Sequence, residues 1–398
     1  MSESAGLRFV TRRLDRDLDL AAVAGPSGVL WARGRAGLAG AGIAARLPLA
    51  HAADALATMD VDDEVRRPGC GPVAFGALPF RPGSAPTMVV PEVVVGRDED
   101  GTRWITTVGP HARVSLHTNP RPEHEPIEYR VRSGVHPVEW CELVDRATKA
   151  MADGPLRKVV LAREVVVSAD VDHDVPTIVA RLRAAYPGCY VFAIDGFVGA
   201  SPELLVSRHG DIVRSHPMAG TAARGGDPTT DARLAASLLA STKDRDEHQI
   251  TIDMVHQSLL GWCSYLDYEA QPSVIPLANV QHLATMVEGR LSNPAPSVLE
   301  LVAALHPTPA VCGWPRDEAL AFIAEHEGID RGRYTGAVGW VDGRGNGAWA
   351  VSVRCAQIDG PVARLYAGNG IMVDSDPETE LAETRTKLGA MLSAVVRP

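Results

Sequence analysis

The sequence predicts an α+β fold in which mainly antiparallel sheets pack against helices. Three observations carry this. Strand-like runs come in adjacent pairs around tight turns, at His209-Gly210 and around GRGNG (343–347), the pattern of hairpins rather than of parallel crossovers. Amphipathic stretches with clear start and stop signals interrupt those pairs. No dinucleotide or phosphate-loop fingerprint is present, and GRGNG, lying between two strands, reads as a turn.

Taken in order, the first ~115 residues alternate short strand-like runs with Gly/Pro turns, including GPVAFGALPF (71–80) and TRWITTVG (102–109). This N-terminal part is the least distinctive. Residues 117–137 are polar and rich in proline, which predicts a surface connection. Residues 138–396 carry the motifs, and a chain of 398 residues could make two or three compact units or one large two-layered domain. HPVEWCELVDRATKAMADG predicts a helix ending at Gly154, and RKVVLAREVVVSA a strand. Its near-continuous Val/Leu run implies burial on both faces. A second helix, VPTIVARLRAAYPG, leads to a strand YVFAIDGFVGA, and ELLVSR and DIVRSHPM form a hairpin. A long helix covers roughly 242–265, with shorter ones at 297–305 and 317–327. Another hairpin follows around GRGNG, and ARLYAGNGIM is a strand entering the last segment.

That segment, GNGIMVDSDPETELAETRTKL (368–388), joins a glycine pair to a helix start. Ser375 or Asp376 can cap the helix, Pro377 suits its first turn, and Glu378 completes a capping box with Ser375. At ~100° per residue, Glu380, Glu383 and Lys387 share an arc of ~60°. Leu381, Leu388, Leu392 and Val395 form a separate apolar stripe. One face therefore packs, and a neighbouring face presents acids beside a loop that admits close backbone approach.

Thirty-nine basic against forty-nine acidic residues leave a net charge of −10. This argues against nucleic acid or an anionic membrane as the main partner. No apolar run is long enough to span a bilayer, and the opening residues lack the apolar core of a secretion signal. Six scattered cysteines without a Cys-x-x-Cys pair read as core residues in a reducing cytosol.

Several residues stand out chemically. Lys158 shares a strand face with Val160, Ala162 and Glu164. A lysine there ordinarily snorkels to water, but on a face that looks into a closed site it becomes a usable base. Glu203 follows Ser201-Pro202; it is either a turn carboxylate or a general acid held protonated by a poorly hydrated pocket. Asp244 and Glu247 share a helix face, as do Glu380 and Glu383. Such runs usually compensate a helix dipole. Two of them in a chain without a His/Cys cluster suit a hard divalent cation, Mg²⁺. His282, Tyr334 and Arg354 sit in apolar contexts. Arg354, read as part of a strand, requires a partner, either a protein carboxylate or a ligand carboxylate.

Together these segments resemble the chorismate-utilising enzymes, the group of isochorismate, salicylate, anthranilate and aminodeoxychorismate synthases. The matching stretches are KVVLAR, SPELLV, PMAGTAARG, KDRDEH, VQHLATMVEGRL, LHPTPAVCGWPR, YTGAVGW, VSVRCA and AGNGIMVDSDPETELAETRTKL, in the family's order across roughly 155–389. The resemblance implies a single large α+β domain with a Mg²⁺-dependent site for chorismate, a ring bearing two carboxylates. By position it implies Glu247 and Glu383 as direct metal ligands, with Asp244 and Glu380 beside them. Gly220 and Thr221 would assist in holding the ring carboxylate, near His282. Tyr334, Arg354, Gly368, Gly370 and Lys387 would surround the enolpyruvyl carboxylate and its neighbours.

Within the family, Lys158 stands where members that add water carry a lysine, which implies a base for water attacking C2. Glu203 would protonate the departing C4 hydroxyl. Ala310, in HPTPAVCG, resembles the isochorismate synthase form of that loop. The resemblance therefore favours isochorismate synthase, acting in the cytoplasm as a monomer without an amidotransferase subunit, in siderophore or menaquinone formation. The alternatives are salicylate synthase, which also eliminates pyruvate, an ammonia-using synthase, and a catalytically silent chorismate-binding protein.

Overall fold

Strands with apolar residues on both faces have to be covered on both sides. The protein, a computed structural model that describes residues 6–81, 83, 86–109 and 126–396, does this with two large sheets laid face to face and helices outside. Among the described residues the larger sheet has 13 strands and the second has 9, with a three-stranded sheet beside them. Apart from Arg8–Arg13 with Asp60–Asp63, paired strands run antiparallel. The chain thus adopts the expected α+β class.

Trp31, Phe75, Phe192, Trp340, Tyr334 and Tyr366 fill the space between the sheets. Helices Val175–Ala185 and Pro377–Val395 cover the outer face of the larger sheet through Leu182, Leu388 and Met391. Leu49–Ala57, Thr242–Leu260 and Val298–Leu305 cover the second. Pro137–Asp153 and Arg316–His326 pack on Val159, Leu161 and Ile371. Each such aliphatic or aromatic side chain contributes roughly 1.5–3 kcal/mol on full burial.

Several elements depart from expectation. YVFAIDGFVGA is not one strand but a hairpin, Tyr190–Ile194 and Phe197–Ser201. Asp195 and Gly196 turn it with φ of 49° and 72°, as a two-residue turn with positive φ at both positions requires. The long helix ends earlier, at Leu260, and Cys263–Tyr268 is an edge strand. Helix Pro228–Ala240, capped by Asp227, was not anticipated. Of the expected connection at 117–137, residues 117–125 lie outside the described residues, while Tyr129–Ser133 pairs with the end of Lys158–Ala169. The last helix is capped by Asp376, which accepts from Thr379 N at 2.9 Å. Ser375 instead donates to the buried Glu380 carboxylate at 2.8 Å, so the capping box with Glu378 does not form.

The N-terminal segment is an integral part of the larger sheet. Val29–Arg33 pairs with Tyr190–Ile194, and Ala36–Ala41 follows it in the same sheet.

Candidate active site

The strand Lys158–Ala169 alternates its side chains between two environments. Val159 and Leu161 face the helix-covered core, whereas Val160 faces a pocket. Lys158 lies on the same side as Val160 but beneath the pocket wall, fully buried, with Nζ 2.9 Å from Glu247 Oε1. Its angle falls short of a hydrogen bond, so this is an ion pair. The neighbouring strand Val362–Ile371 brings Gly370 opposite Val160 and Gly368 opposite Ala162. A Cβ on Gly370 would lie 2.2 Å from Glu247 Oε1 and 2.9 Å from Lys158 Cε. One on Gly368 would lie 2.5 Å from Leu161 O and 3.0 Å from Tyr334 Oη. The glycine pair is therefore what allows strand, ion pair and tyrosine to close on one another.

Glu203 enters from the turn after Phe197–Ser201, whose Ser201 Oγ accepts from the Glu203 amide at 3.2 Å. Burial pushes its carboxyl up to about 7, against the opposing pull of Met218 N, Lys158 and Arg354. It therefore carries a proton over the lower part of the neutral range and can give that proton away.

Arg354 is not in a strand. It lies between Gly347–Val351 and Cys355–Asp359 at φ 48°, and among the described residues no carboxylate pairs with it. Its Nη2 instead donates to His282 Nε2 at 2.5 Å, and its buried Nε has no partner. A guanidinium only donates, so His282 accepts through Nε2 and carries its proton on Nδ1. That nitrogen lies 3.2 Å from Gly220 O and 3.1 Å from Thr221 Oγ1. Burial, then Arg354 and Lys387, hold His282 well below the usual histidine range, so it is neutral. Burial raises the Tyr334 phenol, which stacks on Tyr366 at 5.2 Å. Lys387 donates to Gly368 O at 3.0 Å and Asn369 Oδ1 at 3.1 Å, and pairs with Glu383 at 2.7 Å. Arg354, Lys387, Gly220, Thr221, His282 and Tyr334 all line the pocket, as do Ala310, Gly368 and Gly370. With an unpaired buried guanidinium nitrogen and a lysine, this end suits an anion.

The four acids form two helix-borne pairs beside it. Asp244 lies directly behind Gly220, whose added Cβ would meet Asp244 Cβ at 3.2 Å. Burial raises Asp244, reinforced by Glu247 and Glu383; burial also raises Glu380, reinforced by Glu383. The carboxylates thus repel one another in a poorly hydrated setting. A lysine faces three of them: Lys158 at Glu247, Lys387 at Glu383, and Lys243 at Glu380, 3.8 Å away. Among the described residues no three His, Cys, Asp or Glu side chains converge tightly enough to hold a metal as they stand. The all-oxygen donor set and its mutual repulsion nonetheless fit a hard divalent cation.

Three residues escaped the sequence reading. Glu327 and Arg331 form a buried ion pair behind the pocket wall; their i,i+4 spacing was the only signal. Asn369, between the glycines, donates to Glu380 O at 2.7 Å and Oε2 at 3.0 Å. Its place between two functional glycines was the available hint.

A polar pocket between antiparallel sheets, with a protonatable buried carboxyl, a buried lysine and an anion-binding end, defines an enzyme of acid–base chemistry on a small anionic substrate. The profile described as "Chorismate binding enzyme" matches residues 50–396, and the chain belongs to that family. It is similar to isochorismate synthase DhbC of Bacillus subtilis, 38% identical over 335 residues, 81% of each chain. It is also similar to the vibriobactin-specific isochorismate synthase of Vibrio cholerae, 34% identical over 338 residues, 83% of this chain and 81% of that one. The solved structure of MenF, the menaquinone-specific isochorismate synthase of Escherichia coli, superposes with a TM-score of 0.84 at 27% identity, covering 98% and 95% of the two chains.

Proposed function

We propose that the protein is a Mg²⁺-dependent isochorismate synthase. The observation that carries this is Glu203, a buried pocket carboxyl raised to about 7, close enough to Lys158 beneath the pocket wall to feel its charge. The names of the vibriobactin-specific and menaquinone-specific relatives, both isochorismate synthases, support the same reaction.

In this reading Lys158, once it has released to solvent the proton it holds against Glu247, takes a proton as the neutral amine from a water whose oxygen bonds to C2 of chorismate. The ring double bond shifts, the C4–O bond breaks, and Glu203 supplies the proton with which that oxygen leaves as water. No electron is gained or lost. Arg354 and Lys387 hold the enolpyruvyl carboxylate, and the neutral His282 donates through Nδ1 near Gly220 and Thr221. Glu247 and Glu383, supported by Asp244 and Glu380, would hold Mg²⁺, which when bound supplies the positive charge that retains the ring carboxylate. The chain acts as a cytoplasmic monomer with no amidotransferase subunit. The test is incubation with chorismate and Mg²⁺, with and without ammonium, and chromatography of the products. Isochorismate alone is expected. Stoichiometric salicylate and pyruvate, an aminated product, or no turnover would each overturn the reading.

A further inference from the structure

The strand that carries Lys158 is paired on one side along its whole length, from Val159 opposite Ile371 to Ser168 opposite Val362. Its other side is paired only at the ends. Gly313–Trp314 meets Lys158 and Val159, and Tyr129–Ser133 meets the strand from Val165 onward. Between these, residues 160–163 have no strand neighbour on that side, yet backbone groups there are buried and require partners.

Cys312 O accepts from Val160 N at 2.8 Å, and Glu327 and Arg331 serve the next groups along. Glu327 Oε2 accepts from Ala162 N at 2.8 Å, and Arg331 Nη2 donates to Val160 O at 2.6 Å. The same guanidinium grips Glu327 through Nε at 2.6 Å and Nη2 at 2.5 Å. Its remaining nitrogen donates to Val311 O at 3.0 Å and Thr335 Oγ1 at 3.2 Å. Val311 follows Ala310 and Thr335 follows Tyr334, so one guanidinium joins the Lys158 strand to two walls of the pocket. Both side chains are closed to solvent, at 0% and 2% exposure, and the Phe80 ring lies 4.2 Å from the guanidinium.

A buried ion pair is a poor device for stability alone, because well-packed apolar residues often serve as well. What apolar residues lack is directed bonds to fixed backbone atoms on separate segments, and the planar fork of arginine supplies them at set angles. We propose that Glu327 and Arg331 are a positioning pair, a side-chain substitute for the missing strand that sets Lys158 against the Ala310 and Tyr334 walls of the pocket. This rests on the reading that Lys158 acts as the base.

The experiment compares the wild type with Arg331→Lys, which keeps the charge but not the fork, and with Glu327→Leu/Arg331→Met, which removes both charges together. For each, thermal unfolding, amide exchange at Ala162, and kcat and KM on chorismate per folded molecule are measured with Mg²⁺ present. Arg331→Lys is expected to remain folded, to exchange the Ala162 amide at least ~10-fold faster, and to lose roughly 30- to 100-fold in kcat with KM within about threefold, the scale of a small misplacement at a reacting centre. If Arg331→Lys does not fold, the double variant is judged on the same readouts. Unchanged kcat and Ala162 protection in a folded variant overturns the proposal, as does a kcat loss that merely tracks the unfolded fraction. Absence of chorismate turnover in the wild type overturns the function instead, while the Ala162 exchange still decides whether the pair holds the strand.

Discussion

Glu203 shows what one residue's burial does to chemistry and stability together. Its carboxyl is raised from 4.5 to about 7 by burial, so the acid form that the proposed donor role requires is lost as pH climbs through that value. kcat is expected to fall on the alkaline side with a midpoint near that value, and Glu203→Gln is expected to lower kcat by ~10²–10⁴-fold across the range. The stability effect has a definite sign. Between pH 4.5 and 7 the native state holds a proton that the unfolded chain has released, so stability falls as pH rises through this window. Glu203→Gln abolishes that slope, and its advantage in denaturant unfolding at pH 8 over pH 4 is expected to be on the order of 3 kcal/mol. Lys158→Ala is expected to keep chorismate binding by calorimetry while turnover drops at least ~100-fold; substantial retained water addition would remove Lys158 as the base. Lys158 and Glu203 were legible because a charge in an apolar run is conspicuous. The partner of Arg354 was not, because a histidine 72 positions away leaves no local trace, and neither does a backbone at positive φ.

At the scale of elements, the glycine pair and the helix after it carry the consequences. Gly370→Ala places a methyl 2.2 Å from Glu247 Oε1, and the side chain must swing away from Lys158. The expected result is weakened Mg²⁺ retention, read by titration calorimetry, with a turnover loss that added Mg²⁺ partly restores. Asp376→Ala removes the cap of the last helix and is expected to cost ~1 kcal/mol in chemical denaturation, with little change in turnover. The helix and its acidic arc could be read from periodicity, because a helix face repeats over the whole element. The choice between Ser375 and Asp376 as cap could not, because it turned on a tertiary bond from Ser375 to Glu380. Asp195-Gly196 was a missed turn for a simpler reason. Its flanks are apolar on both faces, so the strand pattern runs unbroken across the turn.

For the molecule as a whole, the N-terminal part that looked least distinctive lies within the larger sheet. Deleting the residues before Ala45 removes the strand Val29–Arg33 that pairs directly with Tyr190–Ile194 and its neighbour Ala36–Ala41, and the remaining chain is expected to lose its cooperative thermal transition. Such long-range pairings are invisible to local pattern, which explains why α+β class was legible and strand order was not. The cysteines give a second global readout. Cys70, Cys189, Cys312 and Cys355 are buried, while Cys141 and Cys263 are partly accessible. Burial pushes Cys70 and Cys312 up to about 12 and Cys189 to about 11, so mass spectrometry after mild alkylation of the native protein is expected to find label at Cys141 and Cys263 alone.

The alternation along Lys158–Ala169 has a genetic corollary. Each step along the strand exchanges its two faces, so losing a single codon between Lys158 and the rest of the strand would put Lys158 among the helices and Arg157 in its place. Substitutions in this stretch change one side chain each; a one-residue deletion turns over every side chain on one side of it. The reading frame of this strand, counted in amino acids, is therefore expected to tolerate replacement far better than any change in length.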